Sequence, residues 1–109
     1  MHRLDSVFCA IGDPTRRAIL AQLATAELPL SQLAAQHPMS LTAVSKHVKV
    51  LANAGLVNIE KRGRTQFCRA NVAPMKEAIH WLTNYQTFWE QQFNSLAKYL
   101  ETEKGSSHD

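Results

Sequence analysis

The chain has 109 residues, 45% of them hydrophobic and 19% charged, which predicts one folded domain and excludes both a wholly disordered chain and a catalytic domain beside a regulatory one. It has no apolar run of the roughly 18 residues that a membrane span needs and no secretory signal pattern, so we expect a cytoplasmic protein that does not bind membranes. The net charge of +3 is concentrated in residues 41–69, where six basic side chains against one acidic one favour a polyanion-binding surface over a solvated charged face.

Two short helices are predicted at the start of the chain. Apolar residues recur at helical spacing from Leu4 to Ile11, and Gly12 ends this first helix. Asp13 and Pro14 then have the residue types typical of the N-cap and the first position of a second helix.

A helix-turn-helix is predicted next. Leu28-Pro29-Leu30 interrupts the second helix, and Ser31 is expected to cap a short third helix. Ser40 caps a fourth helix that runs from Leu41 to Ala54 and is closed by Gly55. A short helix, a turn and a longer helix in this order are typical of DNA-binding proteins.

The fourth helix has two faces of different chemistry. At about 100° per residue, its apolar face consists of Leu41, Val44, Val48 and Leu51. The opposite face has no acidic side chain and consists of Thr42, Ser45, Lys46, Lys49 and Asn53. Short donors and acceptors near the helix N-terminus suit base edges, and cations further along suit phosphates. This face therefore indicates a recognition helix, in which the base edges are contacted by Thr42, Ala43, Ser45 and Lys46.

A β-hairpin is predicted after this helix, from residues 56–60 and 66–72 joined by residues 61–65. Basic side chains surround Gly63 at its tip, which is typical of a wing that follows a DNA backbone or enters a minor groove. Solubility or protection of a strand edge is the alternative role of such a tip. With the helix, the predicted DNA-binding residues are Ser40, Thr42, Ala43, Ser45, Lys46, His47, Lys49, Lys61, Arg62 and Arg64.

The sequence resembles the ArsR-type (ArsR/SmtB) winged helix-turn-helix repressors over nearly its whole length. The match is carried by residues 12–20 (Gly-Asp-Pro-Thr-Arg-Arg-Ala-Ile-Leu), by residues 45–51 running into 54–57, and by the Lys61-Arg62-Gly63-Arg64 tip. The resemblance implies a small homodimer that binds inverted-repeat operators, usually represses, and releases DNA when an inducer binds.

We expect neither metal sensing nor a bound cofactor. Members of the family that sense metals do so through cysteines on the first helix of the helix-turn-helix or through paired ligands on the last helix. Here residues 31–37 contain no cysteine, and Glu77 with His80 is a single pair on the last helix. The chain therefore resembles the metal-independent branch of the family.

The last helix is predicted from Pro74 to Gly105, followed by a frayed tail at residues 105–109, so that residues 1–104 form the domain. Six of the eight aromatic residues lie between positions 81 and 100, and they cover more of the helix than one small core can bury. We expect a dimer interface formed by Phe8, Trp81, Tyr85, Phe88, Trp89, Phe93 and Leu96. The predicted fold is mainly α-helical with a small β-hairpin, a winged helix-turn-helix that forms a homodimer through its terminal helices.

Two questions about single residues stay open. Cys9 and Cys68 suit small buried hydrophobes, or they are sensor thiols for a thiol-reactive or arsenite inducer. His47 suits either a phosphate contact or a packing role.

The predicted function is a sequence-specific DNA-binding repressor with an unidentified inducer, if it has one. A thiol- or metal-sensing repressor is the alternative within this fold, and a protein-interaction module that no longer binds DNA is the alternative outside it. An enzyme is not expected because the chain has no nucleophile elbow, phosphate-binding glycine loop or carboxylate pair.

Overall fold

The computed structural model describes the backbone of residues 3–107 and the side chains of residues 4–102. The chain divides into two compact units, and the boundary between them in the sequence lies between Ala78 and Ile79. In chain order, the elements are α1 (Arg3–Ile11), α2 (Pro14–Leu23), β1 (Leu28–Pro29), α3 (Leu30–Ala35), α4 (Leu41–Asn53), β2 (Val57–Arg62), β3 (Thr65–Ala70) and α5 (Ala73–Ser107).

The predicted boundary between α1 and α2 is confirmed. Gly12 follows α1, and the Asp13 side chain accepts a hydrogen bond from the backbone N–H of Arg16, as an N-cap does. Pro14 occupies the first turn of α2, where its missing N–H costs nothing.

The segment before α3 differs from the prediction. Leu28–Pro29 forms a short strand, β1, which pairs antiparallel with β3 at the positions of Cys68 and Phe67. Helix α3 then begins directly after Pro29, which has no side-chain capping bond, so the prediction that Ser31 caps this helix is wrong. An edge strand tolerates proline because its outward N–H has no partner to lose.

The β-hairpin of β2 and β3 is confirmed, but it belongs to a three-stranded antiparallel sheet in the order β1-β3-β2. Both strands reach further toward the tip than predicted, and Arg62 pairs with Thr65. The turn is therefore only two residues long, Gly63 and Arg64.

The core of the first unit joins α1–α4, the sheet and the first turns of α5. Its largest fully buried side chains are Val7, Ile19, Leu33, Val44, Val48, Leu51, Leu56, Cys68 and Pro74. Each of the larger apolar ones contributes about 1.5–3 kcal/mol by leaving water. Leu41 was expected on the buried face of α4, but it is 53% exposed because it begins the helix beyond the edge of this core.

The second unit consists of the remainder of α5. The helix continues through Gly105 to Ser107, so the prediction that it ends at Gly105 is wrong. Glycine inside a helix costs about 1 kcal/mol relative to alanine, and this does not by itself stop the helix. Of the predicted frayed tail, residues 108–109 lie outside the described residues. Across the described residues, each helix is either too short or too polar to cross a membrane.

Candidate nucleic-acid interface

Helix α4 is fixed at both ends by its own sequence. The Ser40 hydroxyl oxygen accepts a hydrogen bond from the N–H of Ala43 at 3.1 Å, which satisfies one of the first free amides of the helix. At the other end Gly55 has a φ of +79°, and the N–H of Leu56 donates to the carbonyl of Leu51 at 2.9 Å. This is a Schellman ending, for which glycine is the preferred residue. The predicted start and glycine ending of the helix are confirmed.

The outward face of α4 has the polar, basic composition that the sequence predicts. Val44, Val48 and Leu51 turn inward and are buried. The exposed side chains of the opposite face are Thr42, Lys46, Lys49 and Asn53. Ala43 and Ser45 are half-buried at the margins of this face. Among the residues whose side chains the structure describes, neither lysine forms an ion pair, so both are available to an anion.

The wing has a tight tip. Gly63 adopts a φ of +63° at the first of the two turn positions, which is what a type II′ hairpin turn requires. No atom lies within 4 Å of the position that a Cβ would take there, so the glycine is needed for its backbone conformation and not for space. Lys61, two residues before this glycine, and Arg64, directly after it, are both exposed. Neither forms an ion pair among the described side chains.

Arg62 is a different kind of residue from its neighbours in the wing. Its guanidinium forms ion pairs of 2.9 Å with both Glu27 and Glu60, and it lies 4.5 Å above the ring centre of Phe67. The hydrogen bonds that Arg62 donates to Glu60 and Glu27 raise the pKa of Arg62, and the one that Glu60 accepts lowers the pKa of Glu60. In the unbound protein this cation therefore holds the end of β2, next to the wing tip, against the loop before β1, and its predicted contact with DNA stays a prediction.

The strand register explains this difference. Successive side chains on a strand point to opposite faces, and Val57, on the buried side of β2, shares its face with Lys61. Glu60 and Arg62 belong to the other face, where Phe67 is the partner of Glu60 on β3. Lys61 is thereby placed on the side of the sheet that packs on the helices.

A cleft of about 300 Å³ lies between the wing and the start of α4. Its lining combines cations, hydroxyl and amide groups with two leucines, and consists of Leu30, Ser31, Leu41, Lys61, Arg64, Thr65 and Gln66. Both cations of this cleft come from the wing, and α4 contributes Leu41, so the wing tip lies beside the start of the recognition helix.

His47 belongs to a network behind the recognition helix. Its Nδ1 atom lies 3.3 Å from Nη1 of Arg16 and 4.0 Å from Oδ2 of Asp13. Because a guanidinium only donates hydrogen bonds, Nδ1 must be the acceptor, and the proton of the neutral ring is on Nε2. The packing role of His47 is therefore present, while the predicted phosphate contact is untested.

Arg16 connects this network to α1, a role that the sequence analysis missed. Its Nε and Nη2 atoms donate to the carbonyls of Ala10 at 2.6 Å and Cys9 at 3.1 Å, and Nη1 of Arg17 donates to Ile11 at 2.8 Å. The last carbonyls of a helix need such donors, so two arginines shortly after a helix-ending glycine were the available signal. The hydrogen bond that the backbone N–H of Arg16 donates to Asp13 also lowers the pKa of this carboxyl group, and the positive charge of Arg16 adds to this effect.

The two cysteines lie in different environments. Cys68 is fully buried on β3, as expected of a small hydrophobe, and burial raises the pKa of its thiol. Cys9 is exposed on α1, so the interpretation of this residue as a buried hydrophobe is wrong. Both thiols are free. Within the described residues, no group of three or more His, Cys, Asp or Glu side chains could hold a metal ion.

The residues predicted for a dimer interface differ in exposure. Phe8 is half-buried and packs against the core of the first unit. The α5 side chains are all exposed, from 42% for Trp89 to 62% for Phe93. Their rings form a continuous series, in which the centroids of Trp81 and Tyr85 are 5.0 Å apart and those of Trp89 and Phe93 are 5.9 Å apart.

Comparison with known proteins agrees with this geometry. Residues 11–60 match a family described as a helix-turn-helix domain. The chain is 32% identical over 99 residues to the HTH-type transcriptional regulator Rv2034 of Mycobacterium tuberculosis, covering 91% of this chain and 90% of the relative. It is 28% identical over 82 residues to the transcriptional repressor SdpR of Bacillus subtilis, covering 75% of this chain and 91% of the relative. The crystal structure of an ArsR family transcriptional regulator has a TM-score of 0.76 at 34% identity, covering 81% of this chain and 91% of that one.

These similarities extend over the helix-turn-helix, the wing and most of the remaining chain. They confirm the predicted family, the winged helix-turn-helix fold and the DNA-binding function. Members of this family are transcriptional regulators and not enzymes. The chain belongs to the ArsR family of winged helix-turn-helix, DNA-binding transcriptional regulators.

Proposed function

We propose that the protein is a homodimeric repressor that binds an inverted-repeat operator, with α4 of each subunit in the major groove and the wing on the neighbouring backbone. The observation that carries this proposal is the position of the basic wing tip beside the start of α4, whose exposed face presents Lys46 and Lys49. Repression is supported by the similarity to a repressor, SdpR.

The exposed face of α4 supplies the contacts to base edges. Thr42, Ala43, Ser45 and Lys46 lie in the first turns of the helix, the part that approaches base edges in helix-turn-helix proteins. Ser40 adds its backbone and hydroxyl group at the N-cap, where the positive end of the helix dipole favours a phosphate.

Phosphate contacts come from cations without acidic partners. Lys49 on α4 and Lys61 and Arg64 in the wing meet this condition, and His47 adds the N–H of its Nε2 atom. We assign Arg62 a supporting role, because leaving its two carboxylates unpaired would offset the gain from a phosphate.

The exposed apolar face of α5 is the proposed dimer interface. One helix with this many large exposed side chains needs a partner to remove them from water, and an isologous contact with a second copy does so most simply. Phe8, on α1, is the remaining predicted contact. The dimer would place two α4 helices about 34 Å apart, which is one turn of DNA, or a multiple of that distance.

The proposed repressor is independent of a metal and of a disulfide between Cys9 and Cys68 within one subunit. Cys68 is fully buried in the sheet, and its raised pKa keeps the unreactive thiol form. An inducer, if one acts, is a small molecule or another ligand of unassigned chemistry.

The test is selection of bound fragments from genomic DNA, followed by titration of the selected duplex with Lys46→Ala and, as a matched control, Lys98→Ala on α5. A base contact contributes about 1 kcal/mol or more, so loss from both subunits should weaken binding roughly thirtyfold. Lys98→Ala should bind like the wild type. Failure to select any duplex would contradict the proposal and favour the protein-interaction module, and equal affinities of the two variants would contradict the role of Lys46.

A further inference from the structure

Leu41 is an exposed leucine at the start of the recognition helix. It is 53% exposed and does not belong to the packed core cluster, for which Val44, Val48 and Leu51 supply the α4 side chains. Packing therefore gives little reason for an apolar residue at this position, where a polar side chain would be better solvated.

The surroundings of Leu41 are those of the proposed DNA surface. It lines the cleft between α4 and the wing, together with the cations Lys61 and Arg64 and the polar side chains of Thr65 and Gln66. An apolar group among cations fits a ligand that carries a methyl group a short distance from a phosphate. The major groove of DNA has this combination, because thymine is the base that presents a methyl group there.

We propose that Leu41 contacts the 5-methyl group of a thymine at one position in each half-site and so contributes to operator specificity. The proposal rests on the proposed function, since it requires α4 to enter the major groove. Lys61 and Arg64 hold the backbone beside this thymine, and Leu41 covers its methyl group and excludes water from it.

The test uses deoxyuridine, which differs from thymidine only by this methyl group. The duplex that the wild type selects is synthesised with each symmetric pair of thymines replaced in turn by deoxyuridine. Affinity for each duplex is measured by fluorescence anisotropy for the wild type, for Leu41→Ala and for Val50→Ala. Val50 is a suitable control because it is 38% exposed on the same helix and lies outside the cleft. Thermal melting checks that each variant is folded.

The expected result is that one replaced pair weakens wild-type and Val50→Ala binding about fourfold per half-site, the effect of burying one methyl group. Leu41→Ala should bind this duplex and the unmodified one equally well and should keep the wild-type response at other positions. The proposal is overturned if no replacement affects the wild type, or if Leu41→Ala responds as the wild type does at every position. If the wild type selects no duplex at all, the proposed function itself fails, so the two failures are distinguishable.

Discussion

The difference between Arg62 and Arg64 predicts different effects on the salt dependence of DNA binding. The two residues flank the same glycine, but Arg62 is bonded to Glu27 and Glu60 while Arg64 has no ion pair among the described side chains. The substitutions Arg62→Gln and Arg64→Gln remove the same charge from neighbouring positions. They should therefore separate a structural cation from one that neutralises a phosphate.

The size of the effect follows from the number of available cations. Each subunit presents Lys49, Lys61 and Arg64 to phosphates, so the proposed dimer presents about six such cations. Each neutralised phosphate contributes about 0.9 to the magnitude of the slope of log K against log salt, which gives a slope of about −5 for the wild type. Arg64→Gln should reduce the magnitude of this slope by nearly 2, because it removes one contact per subunit. Arg62→Gln should leave the slope unchanged, whatever it does to the affinity itself.

The measurement is fluorescence anisotropy with the selected operator duplex between about 50 and 200 mM salt, a range over which a slope of about −5 corresponds to roughly a 10³-fold loss of affinity. Thermal melting of each variant verifies the fold. An equal reduction of the slope by both substitutions would refute the reasoning, because it would mean that the Arg62 guanidinium leaves its carboxylates for a phosphate.

Three other substitutions test the interface, the cap and the network. Trp89→Glu places a charge in the exposed apolar face of α5, so sedimentation should show monomers that bind operator DNA poorly, and an unchanged dimer mass would contradict the placement of the interface. Ser40→Ala removes the acceptor of the Ala43 N–H and should lower the free energy of unfolding in urea by about 1 kcal/mol, whereas an unchanged midpoint would show that the cap is not needed. Asp13→Asn keeps an N-cap acceptor but removes the charge. The pKa of Asp13 is lowered in the folded state, so its carboxylate stabilises the protein above its ordinary pKa of 3.8 and loses this effect as the pH falls through the folded-state value. The stability of the wild type relative to Asp13→Asn should therefore fall in this acidic range, and a constant difference from pH 6 to pH 2 would contradict it.

Much of the fold could be predicted because its boundaries are set by local chemistry. Asp13 and Pro14 start α2, Ser40 starts α4, and Gly55 ends it through a backbone conformation that other residues adopt at a cost. Strand β1 could not be predicted in this way. Two residues around a proline have no period of their own, and Leu28–Pro29 becomes a strand only because β3, about forty residues away in sequence, offers a free edge.

The candidate site was predicted as a surface but not in its internal contacts. The exposed face of α4 follows from helical periodicity, whereas the pairing of Arg62 with Glu27 depends on a register that brings distant residues together. Part of this register was available from the sequence. Val57 and Ile59 alternate with polar residues, and this alternation can be continued beyond Glu60. It would have placed Lys61 on the face of the sheet that packs on the helices and Arg62 on the same face as Glu60.

The segment around Arg16 explains how residues outside the exposed face of α4 position the recognition helix. Its guanidinium uses three nitrogen atoms for three different partners: Nε and Nη2 for the final carbonyls of α1, and Nη1 for His47 on α4. A lysine has one ammonium group at the end of a flexible chain and could not hold these partners in a fixed plane. The same residue also donates its backbone N–H to Asp13, which caps α2. The Asp-Pro-Thr-Arg segment that contributes to the family resemblance therefore has a structural reason in this chain: it fixes the end of α1 and the start of α2 against α4 at His47.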